Sequence, residues 1–270
     1  MGRIVPRGEL HVGQWMANHY VRVAEKAAEH RITVNAHEPV RPTGLHRTYP
    51  NWMATEAACG GEYSNAGPEG NPPEHETILP FTRLIGGPMD ITPGILQFNL
   101  DYWEAGRKTR VHTTLVKQLA LFVTIYSPLQ MAADHPEVYE RFPDAFQFIK
   151  DVAVDWDDTW VLAAETGDYI TIARKARGKD EWFVGAITVE NARTSDLSFS
   201  FLPSGRNFVA TLYADAFDAH WDTNPMAYRI DRLPVTSTST LTLRLAAGGG
   251  AALSIRAASP GEAHALAVSD

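Results

Sequence analysis

The sequence predicts two architectures in succession: a mixed α/β portion over residues 1–153 and an all-β portion over residues 154–270. Three observations carry this reading. Apolar residues at helical spacing lead into a short apolar run that reads as a strand, and such a helix-to-strand rhythm belongs to α/β architecture. From Thr159 onward the pattern changes to short strand-like runs separated by Gly, Asp, Asn or Pro. With 270 residues, 44% hydrophobic and 10% aromatic, the chain has enough apolar material for one large domain or two ordinary ones.

The elements follow in order. Met16, Tyr20, Val23 and Ala27 recur at helical spacing through a segment ending near His30, predicting one amphipathic helix. Ile32 to Val34 reads as a short buried strand. Asn35 to Pro80 is long, polar and rich in Gly and Pro, and loops of that length inside compact domains are usually functional. Phe81 to Ile95 contains GGPMDITPG, a strand-and-turn signal. Val111 to Tyr126 resumes helical periodicity through Leu115, Leu119, Phe122 and Ile125. A further helix is predicted from Pro136 to about Asp151, with Pro in the first turn where its missing N–H is harmless. The runs WVLAAE, YITIAR, WFVGAITVE, LSFSFL, FVATLYA, TLTLRLA and ALSIRAA then suggest a β-sandwich. The boundary falls near Asp151 to Asp155, and the glycines at 248–250 read as a turn.

Composition excludes several functions. A formal charge of −8 leaves no concentrated excess of Lys and Arg for phosphate contacts, so a nucleic-acid partner is not expected. Cys59 is the only cysteine, which removes internal disulfides and multi-cysteine zinc sites. The longest apolar run, around Leu119 to Tyr126, is far short of the roughly 18 to 20 residues of a membrane span. The opening MGRIVPRGEL has no apolar signal-peptide core. P-loop, GxGxxG and GxSxG motifs are absent, which argues against nucleotide and serine-hydrolase chemistry.

The candidate chemistry lies in HEPVRPTGLHRTYPNWMATEAACGGEYSN, which sets His37, Glu38, Glu56 and Glu62 beyond the C-terminal end of the predicted strand, the edge where α/β folds gather ligands. Glutamates in one Gly/Pro-rich loop system could ligate a hard cation or serve as the acid and base of glycoside hydrolysis. From the residues alone the two roles stay open, as does the plain alternative of solvated loop glutamates. Arg47 and Tyr49 could orient a hydroxyl, though an Arg–Glu structural pair is the simpler reading. Glu74, His75 and Glu76 do not form HExxH and read as structural. The acidic run Asp155 to Asp158 lacks the glycine and terminal Glu of a calcium-binding loop and reads as a domain junction.

The string NAHEPVRPTGLHRTYPN, followed by TEAACGGEY, NPPEHETILPFTR and GGPMDITPG, resembles glycoside hydrolase family 97, bacterial α-glucosidases and α-galactosidases, over about residues 8 to 190. The resemblance implies the C-terminal part of a (β/α)8 barrel over residues 1–153, followed by a small antiparallel β-sandwich over 154–270. It implies that Glu38 is the general base and Glu62 the general acid of an inverting, calcium-dependent α-glucosidase. Glu38, Glu56 and Glu62 would be calcium ligands, and His37 would bind the sugar. An α-linked, malto-oligosaccharide-like substrate is expected, with a periplasmic or secreted parent enzyme. The retaining subgroup typically has HG where this chain has His37–Glu38, which favours inversion.

Further expectations follow from the departures. Cys59 and Gly61 stand where relatives often carry a basic and a larger residue, which would loosen the acid loop. A chain that lacks the opening barrel strands would be weakly active or inactive alone and would associate through exposed barrel edges. Two alternatives remain: a retaining α-galactosidase of the same family, and a non-catalytic carbohydrate-binding piece.

Overall fold

The computed structural model describes residues 5–66 and 69–262, so residues 1–4 and 263–270 of the two expected domain ranges lie outside the described residues. Helix α1 (Gln14–Glu29) forms where its periodicity predicts, burying Met16, Tyr20 and Ala24 against Val34, Ala36 and Trp52. Its C-terminus closes in a Schellman arrangement: Arg31 takes the left-handed φ of 56°, Arg31 N donates to Ala28 O, and Ile32 N donates to Ala27 O. Because the Ile32 backbone is engaged in that cap, Ile32 is exposed, and strand β1 is Val34–Ala36 instead of Ile32–Val34.

The long segment read as loop carries more structure than its composition suggests. It contains α2 (Leu45–Thr48), strand β2 (Trp52–Thr55), α3 (Tyr63–Ala66) and α4 (His75–Ile78). Strand β2 pairs parallel to β1, with Asn35 opposite Ala54 and Ala36 opposite Thr55. Residues 88–90 then run beside the end of β2, where Thr55 N donates to Pro88 O at 3.2 Å, but they form no ladder. The strand signal of 81–95 is thus met by irregular chain after two short 3-10 turns, Leu79–Phe81 and Arg83–Gly86.

Helix α5 (Leu115–Thr124) is buried on every side and starts at Thr114, whose hydroxyl accepts from Lys117 N. The helix expected over 136–151 is two, α6 (Pro136–Tyr139) and α7 (Pro143–Asp151). A second proline starts a new helix at its own N1 position and cannot continue the first.

The β-rich portion comprises β3 (Trp156–Glu165), β4 (Tyr169–Ala176), β5 (Glu181–Thr188), β6 (Arg193–Ser198), β7 (Phe208–Asp215), β8 (Tyr228–Val235), β9 (Thr240–Leu245) and β10 (Gly250–Ala257). Six of these make an antiparallel sheet in the order β3-β4-β5-β10-β7-β8, and β6 pairs with β9 in a separate ribbon. Alternation along β5 shows how the layers stack. Trp182, Val184 and Ala186 face a core shared with Leu197, Phe199, Leu243 and Leu245 of the ribbon side. Phe183 and Ile187 face α5 and α7. Gly185 lets α5 lie directly on the sheet, since a Cβ there would meet Ala120 O at 2.7 Å. The 248–250 glycines are more than a turn, because Gly250 belongs to β10 and a Cβ on it would meet Ala186 O at 2.7 Å.

One core therefore runs across the expected boundary, from Leu79 and Met89 through α5 and Phe148 to Ile170, Tyr213 and Ala252. The fold is mixed α/β followed by a largely antiparallel sheet. No closed barrel is formed among the described residues, where parallel pairing is confined to β1 and β2.

Candidate active site

Two parallel strands end side by side, and the candidate residues follow directly from those ends. His37 and Glu38 come after Ala36 of β1, and Glu56 comes after Thr55 of β2, with Glu56 N donating to Ala36 O at 2.8 Å. Carbonyl and side-chain groups at this edge point out of the sheet, which is why parallel α/β sheets place ligands there.

Glu56 is buried. Its Oε2 accepts from Glu38 N at 2.9 Å and faces His37 Nδ1 at 3.5 Å. The exposed carboxylate of Glu62 brings Oε1 to 3.9 Å from the same ring nitrogen. Glu38, Glu56 and Glu62 line one open cleft of about 500 Å³, together with His11, whose Nε2 lies 3.0 Å from Glu38 O. His37 thus stands between the two loops that carry the carboxylates.

The other side of His37 is fixed by a residue outside the predicted set. Asp90, fully buried, accepts from His37 Nε2 at 3.0 Å, Asn35 Nδ2 at 2.5 Å and Thr92 N at 3.0 Å. Burial alone would raise the Asp90 pKa, but these bonds hold it below the ordinary value. The bond to Asp90 raises the His37 pKa, opposed by burial and assisted by Glu56 and Glu62. A carboxylate behind the ring sets its tautomer, so that Nε2–H donates to Asp90 and Nδ1 is turned to the cleft.

Arg83 is the second unpredicted element. Buried beneath Glu56, its guanidinium donates to the carbonyls of Glu56 (2.7 Å), Gly87 (3.1 Å), Pro88 (3.1 Å) and Thr55. Burial pushes its pKa down to about 10, with Glu56 opposing. One cation thereby ties the end of β2 to the segment that delivers Asp90. The signal for both residues was present in FTR and GGPMD, but an Arg after an apolar run and an Asp in a turn string carry no spacing that marks them as a pair.

Backbone conformation is unusual at the same place. Glu38, Ala57 and Thr92 have φ of 55°, 47° and 54°, three of the four left-handed non-glycine residues among those described. For β-branched Thr92 this is a true outlier, costing about 1–3 kcal/mol that the surrounding bonds must offset. Strain of this kind collects where geometry is held for function.

The acid loop is not loose, contrary to the expectation drawn from Cys59 and Gly61. Asn71 Nδ2 donates to Gly60 O at 2.8 Å, the His75 ring nitrogen meets Cys59 O at 2.7 Å, and Gly61 N donates to Ile91 O at 2.7 Å. There is no space for a larger residue at 61, because a Cβ would meet Thr92 O at 2.7 Å. The Cys59 thiol is held above its ordinary pKa by burial and by Glu56, which disfavours the reactive thiolate.

The remaining candidates stand apart from the cleft. Tyr49 bonds Glu25 of α1 at 2.8 Å, and Arg47 is exposed on α2. Glu76 pairs with the fully buried Lys117 at 3.2 Å. Asp155 to Asp158 lie at the start of β3, where Asp155 pairs with Arg177 at 3.2 Å. Among the described residues no group of three His, Cys, Asp or Glu side chains is gathered closely enough to hold a metal ion.

Comparison with known proteins identifies the family. Residues 7–58 match the family described as glycoside hydrolase 97, and residues 155–256 match the one described as glycosyl-hydrolase 97 C-terminal, oligomerisation. The chain belongs to glycoside hydrolase family 97. It corresponds to the C-terminal portion of family members. A retaining α-galactosidase of Bacteroides thetaiotaomicron is 34% identical over 238 residues, covering 87% of this chain and 35% of that protein. A family 97 enzyme of Pseudoalteromonas sp. strain K8, solved in complex with acarbose, is 46% identical with a TM-score of 0.88, covering 93% of this chain and 38% of that one. The same identity and TM-score hold for a variant of that enzyme in complex with panose. The family 97 chain thus spans about a third of the length of the relatives it matches.

Proposed function

We propose that this chain carries the acid–base half of an inverting α-glucosidase. The observation that carries the reading is the convergence of Glu38, Glu56 and Glu62 on one cleft around a His37 that Asp90 holds in place. The higher identity to an enzyme whose complexes contain acarbose and panose, both glucose-type oligosaccharides, supports a glucoside substrate.

In this reading Glu62 protonates the glycosidic oxygen, Glu38 draws the proton from a water on the opposite face of the sugar, and the product has inverted configuration. His37, fixed by Asp90, orients a sugar hydroxyl through Nδ1. We place these residues at the C-terminal end of a (β/α)8 barrel, of which β1 and β2 would be two adjacent strands, with residues 1–153 as its part in this chain and 154–270 as the β-sandwich.

Calcium belongs to the proposal only for a site completed by further donors. The carboxylates of Glu38, Glu56 and Glu62 are hard oxygen ligands of the type calcium takes, yet these residues do not by themselves form a metal group. We further propose association through apolar surface, supported by exposed Val12 and Ile32 near β1 and by exposed Trp160 and Val161 on the edge strand β3.

The curated relative's name favours a second reading, a retaining α-galactosidase. Proton NMR of the sugar first released from p-nitrophenyl α-glucoside and α-galactoside separates the two. β-Glucose, absent with Glu62→Gln, supports the proposal; α-galactose overturns it in favour of the second reading. Turnover of neither, with malto-oligosaccharide binding intact, would make the chain a binding piece.

A further inference from the structure

Gly60 O, the carbonyl that opens the turn carrying Glu62, accepts from Tyr63 N at 3.1 Å and from Asn71 Nδ2 at 2.8 Å. Both of its lone pairs are therefore filled, one from within the acid loop and one from outside it. The outside donor belongs to residues 71–76, which also reach the preceding carbonyl, since the His75 ring nitrogen donates to Cys59 O at 2.7 Å. Asn71 is buried, so its amide is itself fixed by packing. Glu62 carries an exposed carboxylate whose approach to His37, 3.9 Å, is longer than a hydrogen bond. The place of the carboxyl is thus set through its backbone.

Residues 71–76 are in turn held from the C-terminal sheet. The fully buried Lys117 donates to Pro73 O and, at 3.0 Å, to Thr188 O at the end of β5, and its ammonium lies 3.2 Å from Glu76. A buried ammonium needs an oxygen for each of its three N–H bonds, so Lys117 fixes the spacing between Pro73, Glu76 and the sheet. A second route enters through the loop between β7 and β8. Trp221 N donates to Ala247 O at 3.1 Å, and its indole meets the His112 ring edge-on with centroids 5.1 Å apart. His112 Nδ1 donates to Asn71 O at 3.0 Å.

A general acid works only within hydrogen-bond reach of the leaving oxygen, and a misplacement of about 1 Å can cost on the order of 100-fold in rate. We propose that Asn71 and His75 are positioning residues for Glu62, and that the C-terminal sheet, acting through Lys117 and Trp221, holds them in register with the acid loop. This rests on the reading of Glu62 as the general acid. It gives the sheet portion a part in the reaction although no described residue of it lines the cleft.

Cys59, the only cysteine and an exposed one, takes a nitroxide label whose electron paramagnetic resonance spectrum reports motion of the acid loop. The label is read in the full chain as wild type, Asn71→Ala, His75→Leu, His75→Gln and Trp221→Ala. Its rotational correlation time should fall by about twofold or more in Asn71→Ala, His75→Leu and Trp221→Ala. His75→Gln, whose amide can reach Cys59 O, should restore the wild-type spectrum and so separates a lost donor from a general loss of stability. The His75 pair decides the matter even where Asn71→Ala does not fold. An unchanged spectrum in His75→Leu, or one in His75→Gln as loose as in His75→Leu, overturns the positioning. An unchanged spectrum in Trp221→Ala overturns the part given to the sheet. In unlabelled protein, His75→Leu should lower kcat for maltose by about tenfold or more with KM within about twofold. The loss should be smaller for p-nitrophenyl α-glucoside, whose leaving group needs less protonation. A loosened loop with maltose hydrolysis unchanged counts against Glu62 as the acid and leaves the positioning of the loop standing. The spectra decide the positioning whether or not the chain turns over substrate.

Discussion

Asp215, the last residue of β7, should make stability fall as pH rises through the weakly acidic range. It is buried, and its Oδ2 accepts from Ala246 N and Gly250 N, both at 2.9 Å. Gly249 permits that approach, because a Cβ there would lie 2.0 Å from Oδ2. Burial raises the carboxyl pKa from 3.8 to about 6, despite the Thr114 hydroxyl, the two backbone bonds and the attraction of Lys117. An acid whose folded pKa is raised holds its proton more tightly in the native state. The stability this supplies is full below 3.8 and is lost as pH rises through about 6. A gap of about two pH units corresponds to about 3 kcal/mol. Asp215→Asn keeps an oxygen for the two N–H donors and removes the charge. The variant should therefore gain on wild type by about 3 kcal/mol between about pH 4 and about pH 7.5, read as the difference of urea unfolding free energies at each pH. Curves for variant and wild type that stay parallel across that range would refute the argument.

Three further outcomes follow from the same contacts. Asp90→Asn sets an amide donor against the donors of Asn35, His37 and the Thr92 backbone. It should cost about 2–3 kcal/mol at neutral pH in urea unfolding, and the penalty should shrink in acid, because a depressed carboxyl contributes stability above its unfolded pKa and loses it as pH falls through the folded value. Gly61→Val drives a side chain into Thr92 O and should cost about 1–3 kcal/mol and displace Glu62, read by unfolding and by lost hydrolysis, whereas Cys59→Ser in the same exposed loop should change neither. Lys117→Met leaves Glu76 buried without its cation and should cost about 3–5 kcal/mol, most of it recovered in the double variant with Glu76→Leu; a double-mutant cycle with no coupling would show that the pair does not interact.

The candidate carboxylates were legible because glutamates in a Gly/Pro-rich stretch after a strand, matching a family pattern, are visible one residue at a time. The supports were not. Strand β2 is four residues long and sits next to Pro50 and Asn51, so its period cannot be told from loop. Asp90 reaches Asn35, 55 positions away, and Arg83 reaches Glu56, 27 positions away, and no local spacing announces such contacts.

By itself, the sequence determined helix α1, whose apolar spacing leaves one face to bury, the run of β-strands after residue 155, and the residue types available for acid–base chemistry. Only the tertiary structure decided that one face of the six-stranded sheet packs on α5 in a core crossing the expected boundary, and that the acid loop is pinned. Periodicity records which residues seek burial. Which partner buries them, and which groups meet at a strand end, depends on contacts between segments far apart in the chain.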